Sequence, residues 1–260
     1  MRPAFTITGG RGHLVATALH AGHDIRPEVA DVIALDDATR LHEEDPGTDR
    51  VAAIAPLRAV VHRSRFEVDL NRPRHEAVYR HPDDAWGLEV WREPPSDDLV
   101  ARSLAIYDRF YESVARQFDA LAADGAFLVL DVHSYNHRRG DSGGSPAPEK
   151  GNPEVNVGTG TLDRARWGPV VDRFIDALRR QEVRGHRVDV RENVRFRGAH
   201  FAAWTHRCYP DSSVVLAVEL KKLYMDEWSG VIDFGHLDEL RRALGAAMPA
   251  VLDTLAECAA

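Results

Sequence analysis

The chain has 260 residues, of which 44% are apolar, and a formal net charge of −8. Its size is enough for one large α/β domain over residues 1–260, and the acidic balance disfavours a nucleic-acid partner, because such partners need a clustered basic face. Two cysteines, far apart and without CxxC spacing, indicate neither a disulfide framework nor a cysteine zinc site. No apolar run reaches the ~20 residues of a membrane helix, and the N-terminus does not resemble a secretion signal. We therefore expect a cytoplasmic protein that does not bind membranes.

Hydrophobic patterning predicts strands that alternate with helices. In chain order these are β structure over 5–19 with a glycine turn, a short helical region over 26–44, strands over 60–62 and 66–70, a helix over 96–124, strands over 127–134 and 154–158, a helix over 168–182, strands over 187–192 and 214–221, and a helix over 236–257. Such alternation predicts a mainly parallel sheet with helices on both faces. A Gly-, Pro- and Ser-rich loop over 137–148 is long enough to suggest a functional role.

The strand over 127–134 ends in side chains that can do chemistry. Asp131, His133 and Ser134 follow four apolar residues, and open α/β sheets bind ligands outside the carboxyl ends of their strands. Asp131 lies two residues before His133, on the same side of the strand, and is expected to orient the His133 imidazole. The alternative is a loop in which these two residues only satisfy one another.

Two further histidines, His20 and His23, follow the apolar segment 14–19 and flank a glycine turn. Catalytic zinc sites use three protein ligands and keep a fourth position for water. With His133 as the third ligand, the sequence predicts a zinc site of His20, His23 and His133. HxxH spacing alone is weak evidence, because it often arises by chance.

Glu219 lies in the otherwise apolar segment 214–220. A lone buried carboxylate is costly unless it is paired or has a function, and burial raises its pKa toward neutrality, which suits a general base. The alternative is an ion pair with Lys221 or Lys222 on the solvent face of an edge strand.

Arginines surround the segment Asp69–Arg72. A guanidinium binds a carboxylate through two hydrogen bonds, and asparagine adds a directional amide. Asn71 and Arg72 are therefore interpreted as a clamp for an anionic substrate, with a surface turn held by Asp69 as the alternative. The arginines concerned are Arg63, Arg65, Arg72 and Arg74.

Four segments, in this order, resemble the N-formylglutamate amidohydrolase family: Leu19–Gly22, Ser64–Pro73, Asp131–Ser134 and Val218–Met225. That family is similar in turn to zinc carboxypeptidases and aspartoacylase-type deacylases. The resemblance implies a three-layer α/β/α sandwich with a mixed, mainly parallel sheet, like that of zinc carboxypeptidases. It also implies one zinc ion per chain and hydrolysis of the amide bond of a small anionic N-acyl amino acid such as N-formylglutamate.

By position, the resemblance makes His20 and His133 metal ligands and Glu219 the carboxylate that activates water. Arg65 matches the arginine that polarises the scissile carbonyl, with Arg63 as the competing choice.

The resemblance also assigns the substrate's carboxylate to Asn71 and Arg72, and we expect Arg138 or Arg139 to help. His23 stands where zinc carboxypeptidases have a glutamate, so Asp24 is the alternative second ligand.

Two other functions remain open at this point. A peptidase or deacylase acting on a larger substrate needs an open cleft, whereas a formyl amino acid can be enclosed by the 137–150 loop. A non-catalytic module that binds a metal or carboxylate predicts Glu219 paired with lysine.

Overall fold

Nine strands and seven α-helices are formed by the residues that the computed structural model describes, 2–10, 12–138 and 144–260. The strands are β1 (Phe5–Thr8), β2 (Leu14–Ala18), β3 (Leu57–Val61), β4 (Phe127–Tyr135), β5 (Val155–Gly158), β6 (Glu182–Val183), β7 (His186–Arg187), β8 (Val190–Glu192) and β9 (Ser213–Lys221). The helices are α1 (Pro27–Ala30), α2 (Asp37–Glu43), α3 (Thr48–Ala52), α4 (Asp97–Asp124), α5 (Arg164–Arg179), α6 (His200–Cys208) and α7 (Phe234–Ala259).

The main sheet has the strand order β1-β3-β2-β4-β9-β5-β8. Strands β3, β2, β4 and β9 run parallel to one another, and β1 and β5 pair antiparallel at either side of this set. Strand β8 is parallel to β5, and β6 and β7 form a separate two-stranded ribbon. The predicted fold class, α/β with a mixed, mainly parallel sheet, is confirmed.

Helices cover both faces of this sheet. Leu128, Leu130 and Val132 of β4 pack in one apolar cluster with residues of α3, α5 and α7. Phe127 and Val129, on the other face of β4, pack with residues of α4 and α6. Because β4 is buried on both faces, its sequence is a nearly continuous apolar run.

The predicted strand over 66–70 is wrong, because Arg65–Glu67 form a turn and none of the residues 66–70 lies in a strand. The alternation of apolar and acidic residues does not reflect a half-exposed face. Glu67 and Asp69 are as fully buried as Phe66, and each acidic group is held by ion pairs. The alternation in this segment therefore separates buried apolar side chains from buried acidic side chains that form ion pairs.

Other elements differ mainly at their ends. The helix predicted from residue 168 begins at Arg164, since Asp163 caps its first turn. Helices α3 and α6 were not predicted, because each is too short to show a clear period. Within the described part of the chain, no helix is both long enough and apolar enough to cross a membrane.

Candidate active site

The carboxyl ends of β2, β4 and β9 lie side by side and carry the chemically active groups. His20 follows β2, His133 is near the end of β4, and Glu219 on β9 is the register partner of His133. Asp45 joins them from the loop between α2 and α3, where its backbone N–H donates to the His20 carbonyl at 2.9 Å. The sheet therefore brings together residues from four distant parts of the chain.

Three buried side chains at this edge could bind one metal ion. Ligand atoms of His20, Asp45 and His133 all lie within 4.8 Å of one another. Oδ2 of Asp45 is 3.1 Å from Nδ1 of His133 and 3.5 Å from Nδ1 of His20. Two imidazoles and one carboxylate are a donor set that zinc and similar divalent metals accept, so these residues fit the expected ion.

Each imidazole contacts a carboxylate through its other nitrogen. Nε2 of His20 lies 2.8 Å from Oδ1 of Asp69, and Nε2 of His133 lies 3.1 Å from Oδ2 of Asp131. The expected contact between Asp131 and His133 is thus present. Carboxylates in this position fix the ring orientation of metal-binding histidines and leave the first nitrogen for the ion.

The charge balance of the group favours a cation. Burial alone would raise the pKa of Asp45, but hydrogen bonds from His133 and His20 outweigh it and hold that pKa well below its usual range. Burial alone would lower the pKa of His133, but the carboxylates of Asp131, Asp45 and Glu219 together outweigh it and raise that pKa well above its usual value. The surrounding carboxylates therefore stabilise positive charge at this position.

The carboxyl of Glu219, beside His133, has a raised pKa. Burial of its carboxyl raises its pKa to about 7, although the neighbouring His133 acts in the opposite direction. The alternative of a lysine ion pair is not what the structure shows. Nζ of Lys221 donates to the Asn152 carbonyl at 3.3 Å, and Nζ of Lys222 donates to the carbonyls of His42 and Glu44, each at 2.7 Å.

The structure does not bring His23 to this group, and Asp45 takes the place expected for it. Nδ1 of His23 lies 2.5 Å from Oε2 of Glu44, and its Nε2 lies 3.3 Å from the Arg40 guanidinium. Asp24, the alternative, is exposed. The spacing of His20 and His23 along the chain suggested His23 as the second metal ligand. Asp45 lies in a polar loop between two short helices, where no sequence pattern indicates such a role.

Arg65 is held rigidly beside the ligand group. Its guanidinium donates to Oδ2 of Asp69 at 2.8 Å, to the hydroxyl of Tyr79 at 3.2 Å and to the Glu43 carbonyl at 3.4 Å. The ring of Trp86 covers it at 4.8 Å. Because Asp69 also holds His20, Arg65 has a fixed position relative to the ligand group.

Arg63, the competing choice, has a different environment. It is buried, and its Nε lies 3.6 Å from Oε1 of Glu67. Glu67 also pairs with Arg26 at 2.8 Å. Of these two arginines, Arg65 lines the cleft described next and Arg63 does not.

A cleft of about 390 Å³ opens beside His20. Its lining brings both residues of the predicted clamp together with the candidate metal ligand, and it includes His20, Arg65, Asn71, Arg72, Thr161 and His200. Nδ2 of Asn71 lies 3.2 Å from Nε2 of His133, and its Oδ1 accepts from the backbone N–H of Phe201 at 2.9 Å. The side chain of Arg72 is 31% exposed, its Nη2 donates to the Asp84 carbonyl at 3.1 Å, and its guanidinium lies over the ring of Tyr79 at 5.4 Å. The guanidinium has further N–H groups with which to bind a ligand.

Arg138 is not brought to this cleft. It lines a separate cavity of about 400 Å³ together with Lys222 and Tyr224, and Glu227 binds its backbone N–H. Arg139 lies outside the described residues.

His200 also lines the cleft beside His20. The sequence analysis did not single it out, because it lies in no recognisable motif.

A known protein family matches most of the chain, and two solved structures share its fold. The family model for N-formylglutamate amidohydrolase matches residues 12–225. Among solved structures, the chain is similar to the N-formylglutamate amidohydrolase from Ralstonia eutropha JMP134, with 17% identity, 97% of each chain covered and a TM-score of 0.74. It is also similar to the gene product Atu2144 from Agrobacterium tumefaciens, with 16% identity, 96% of each chain covered and a TM-score of 0.66. At these identities the two structures show the fold alone. No curated protein matches the chain.

Proposed function

Because the chain belongs to the N-formylglutamate amidohydrolase family, we propose that it hydrolyses the amide bond of an N-acyl amino acid, with N-formylglutamate as the first substrate to test. We propose one zinc ion as cofactor, held by His20, Asp45 and His133. The observation that carries the proposal is the meeting of this ligand group with a carboxyl of raised pKa and a cleft lined by arginines.

The three ligand residues would hold zinc through two nitrogens and one carboxylate oxygen. A zinc ion supplies Lewis acidity, which lowers the pKa of water toward ~7 and polarises a carbonyl. Asp69 and Asp131 hold the two imidazoles so that the nitrogens facing Asp45 would be free to bind the ion, since each carboxylate contacts the other nitrogen of its imidazole.

Glu219 acts as the base in this proposal. Its carboxylate takes a proton from the attacking water and then gives it to the leaving nitrogen of the substrate. A pKa of about 7 suits both transfers near neutral pH. Lys221 and Lys222 bond to backbone carbonyls, which leaves the carboxylate available for this role.

The arginines divide the remaining tasks. Arg65 retains guanidinium N–H groups beyond its three hydrogen bonds, and it stabilises the negative charge that develops on the carbonyl oxygen. Arg72 binds the carboxylate of the substrate, with a hydrogen bond from the Asn71 amide. A small anionic substrate is thereby held at one end by Arg72 and placed for attack at the other.

A substrate screen tests the proposal. Zinc-loaded protein is assayed with N-formyl, N-acetyl and N-succinyl amino acids alongside short peptides. We expect the highest kcat/KM on an N-acyl amino acid with a free α-carboxylate, with activity lost on chelation and restored by zinc. Preference for peptides would instead support a carboxypeptidase or deacylase, and absence of turnover on every compound would contradict an enzymatic role.

Replacing Arg72 with methionine is expected to raise KM on the order of 10–100-fold with a small change in kcat. The reason is that charge-assisted hydrogen bonds to a carboxylate contribute ~1.5–3 kcal/mol and hold the substrate equally before and during reaction. Steady-state kinetics measure both constants.

Arg74→Met is the matched control for this prediction. Arg74 lies two positions further along, is half exposed and pairs with Asp108 at 2.7 Å. We expect its KM to stay within about twofold of the wild-type value, as is usual for an exposed ion pair. Equal effects of the two variants on KM would show that Arg72 does not bind the carboxylate.

A further inference from the structure

His200, which no sequence motif marked, lies in the wall of the cleft proposed for the substrate. It is the first residue of α6, it is half-buried, and it lines the same cleft as His20 and Arg72. Tyr107 connects it to the clamp. The Tyr107 hydroxyl donates to the Arg72 carbonyl at 3.1 Å and lies 3.0 Å from Nε2 of His200.

The partners of this hydroxyl are the basis on which we assign the nitrogen of His200 that carries hydrogen. A carbonyl oxygen can only accept, so we assign the one hydrogen of Tyr107 to the carbonyl of Arg72. The hydroxyl must then accept from Nε2 of His200. A neutral imidazole has a single N–H, and therefore Nδ1 of His200 keeps a bare lone pair.

The environment keeps the ring neutral. Burial lowers the pKa of His200, and the charge of Arg207 adds to this effect. Glu76 and Asp69 act in the opposite direction without reversing it, and the nearby His75 acts with Arg207. The ring also lies at the N-terminus of a helix, where the helix dipole disfavours a cation.

The other polar groups that line this part of the cleft are poorly suited to accept from a substrate. Arg65 and Arg72 can only donate. The oxygens of Asp69 are occupied by His20, Arg65, Tyr79 and the Asn71 backbone, and Oδ1 of Asn71 accepts from Phe201. The hydroxyl of Thr161, which also lines the cleft, already lies 2.9 Å from Nδ1 of His206. Nδ1 of His200 is therefore the side-chain acceptor that we assign to a substrate N–H entering here.

We propose that Nδ1 of His200 accepts a hydrogen bond from the N–H of the scissile amide, so that this residue makes the site select amides over esters. The inference rests on the proposed function. In an N-acyl amino acid the amide nitrogen and the carboxylate are bonded to the same carbon. Anchoring the carboxylate on Arg72 thus brings the N–H into the part of the cleft that Arg72 and His200 share.

The test compares N-formylglutamate with its ester counterpart, in which oxygen replaces the amide N–H. For His200→Phe we expect kcat/KM on the amide to fall ~10-fold, the value of one hydrogen bond, while kcat/KM on the ester stays within about twofold. His200→Asn offers a carboxamide oxygen near the place of Nδ1 and is expected to recover most of the loss. Nitrogen-15 NMR of the histidine side chains, with His200 assigned by its absence in the variants, is expected to show an unprotonated Nδ1 at neutral pH.

Three results would count against this inference. Equal losses on amide and ester would mean that His200 only supports Tyr107, and an Nδ1–H tautomer would remove the acceptor. Either result overturns the role of His200 while hydrolysis of N-formylglutamate by the wild-type protein still supports the proposed function. Absence of wild-type turnover on both compounds overturns the proposed function and this inference with it.

Discussion

Glu219→Gln is expected to lower kcat by about 10²–10⁴-fold, the usual range for loss of a general base, while the protein still binds one zinc ion per chain. Glutamine has the same shape but cannot take a proton from water. Because Glu219 is not among the three grouped ligands, its replacement should leave metal affinity nearly unchanged. Steady-state kinetics and elemental analysis of the purified variant measure the two properties.

The control for this variant is Glu112→Gln. Glu112 is exposed on α4 and pairs with Arg116 at 2.8 Å. It undergoes the same chemical change far from the proposed chemistry, and we expect its kcat to match that of the wild-type protein. A Glu219→Gln variant with full activity would rule out the proposed mechanism.

Asp45→Ala is expected to weaken zinc binding by more than ~100-fold and to abolish hydrolysis. Loss of an outer carboxylate partner costs ~10–100-fold in metal affinity, and a direct ligand contributes more. Zinc content after dialysis against a weak chelator measures the effect.

His23→Ala separates the two ligand sets. The structure pairs His23 with Glu44, and we expect this variant to retain about one zinc ion per chain. The opposite outcome, in which His23→Ala loses zinc and Asp45→Ala keeps it, would support the set expected from spacing and contradict the one drawn from the structure.

The parts of the fold and site that could be predicted share one property: they follow apolar segments with a clear period. His20, His133 and Glu219 were proposed because each interrupts or ends such a segment, and the structure places all three at one edge of the sheet. The family resemblance, which used the order of four short segments, is confirmed by the match over residues 12–225.

The parts that could not be predicted depend on contacts between distant residues. Asp45 reaches the site because its loop packs against His20, and a polar loop carries no period that would indicate this. The segment 66–70 shows a strand-like alternation, yet its acidic residues are buried by ion pairs formed with other parts of the chain. The role proposed for His200 depends on its contact with Tyr107, which also bonds to Arg72, and both residues precede it by many positions in the chain.

The hydrogen bonds of Lys222 to the carbonyls of His42 and Glu44 have a mechanical consequence. They fasten the end of the strand that carries Glu219 to the loop that carries Asp45. If the loop moved away, the buried ammonium group of Lys222 would lose its hydrogen-bond partners, at a cost of several kcal/mol. The proposed base, Glu219, and the proposed ligand, Asp45, therefore lie on segments that Lys222 holds together, so that a movement of either segment would disturb both residues.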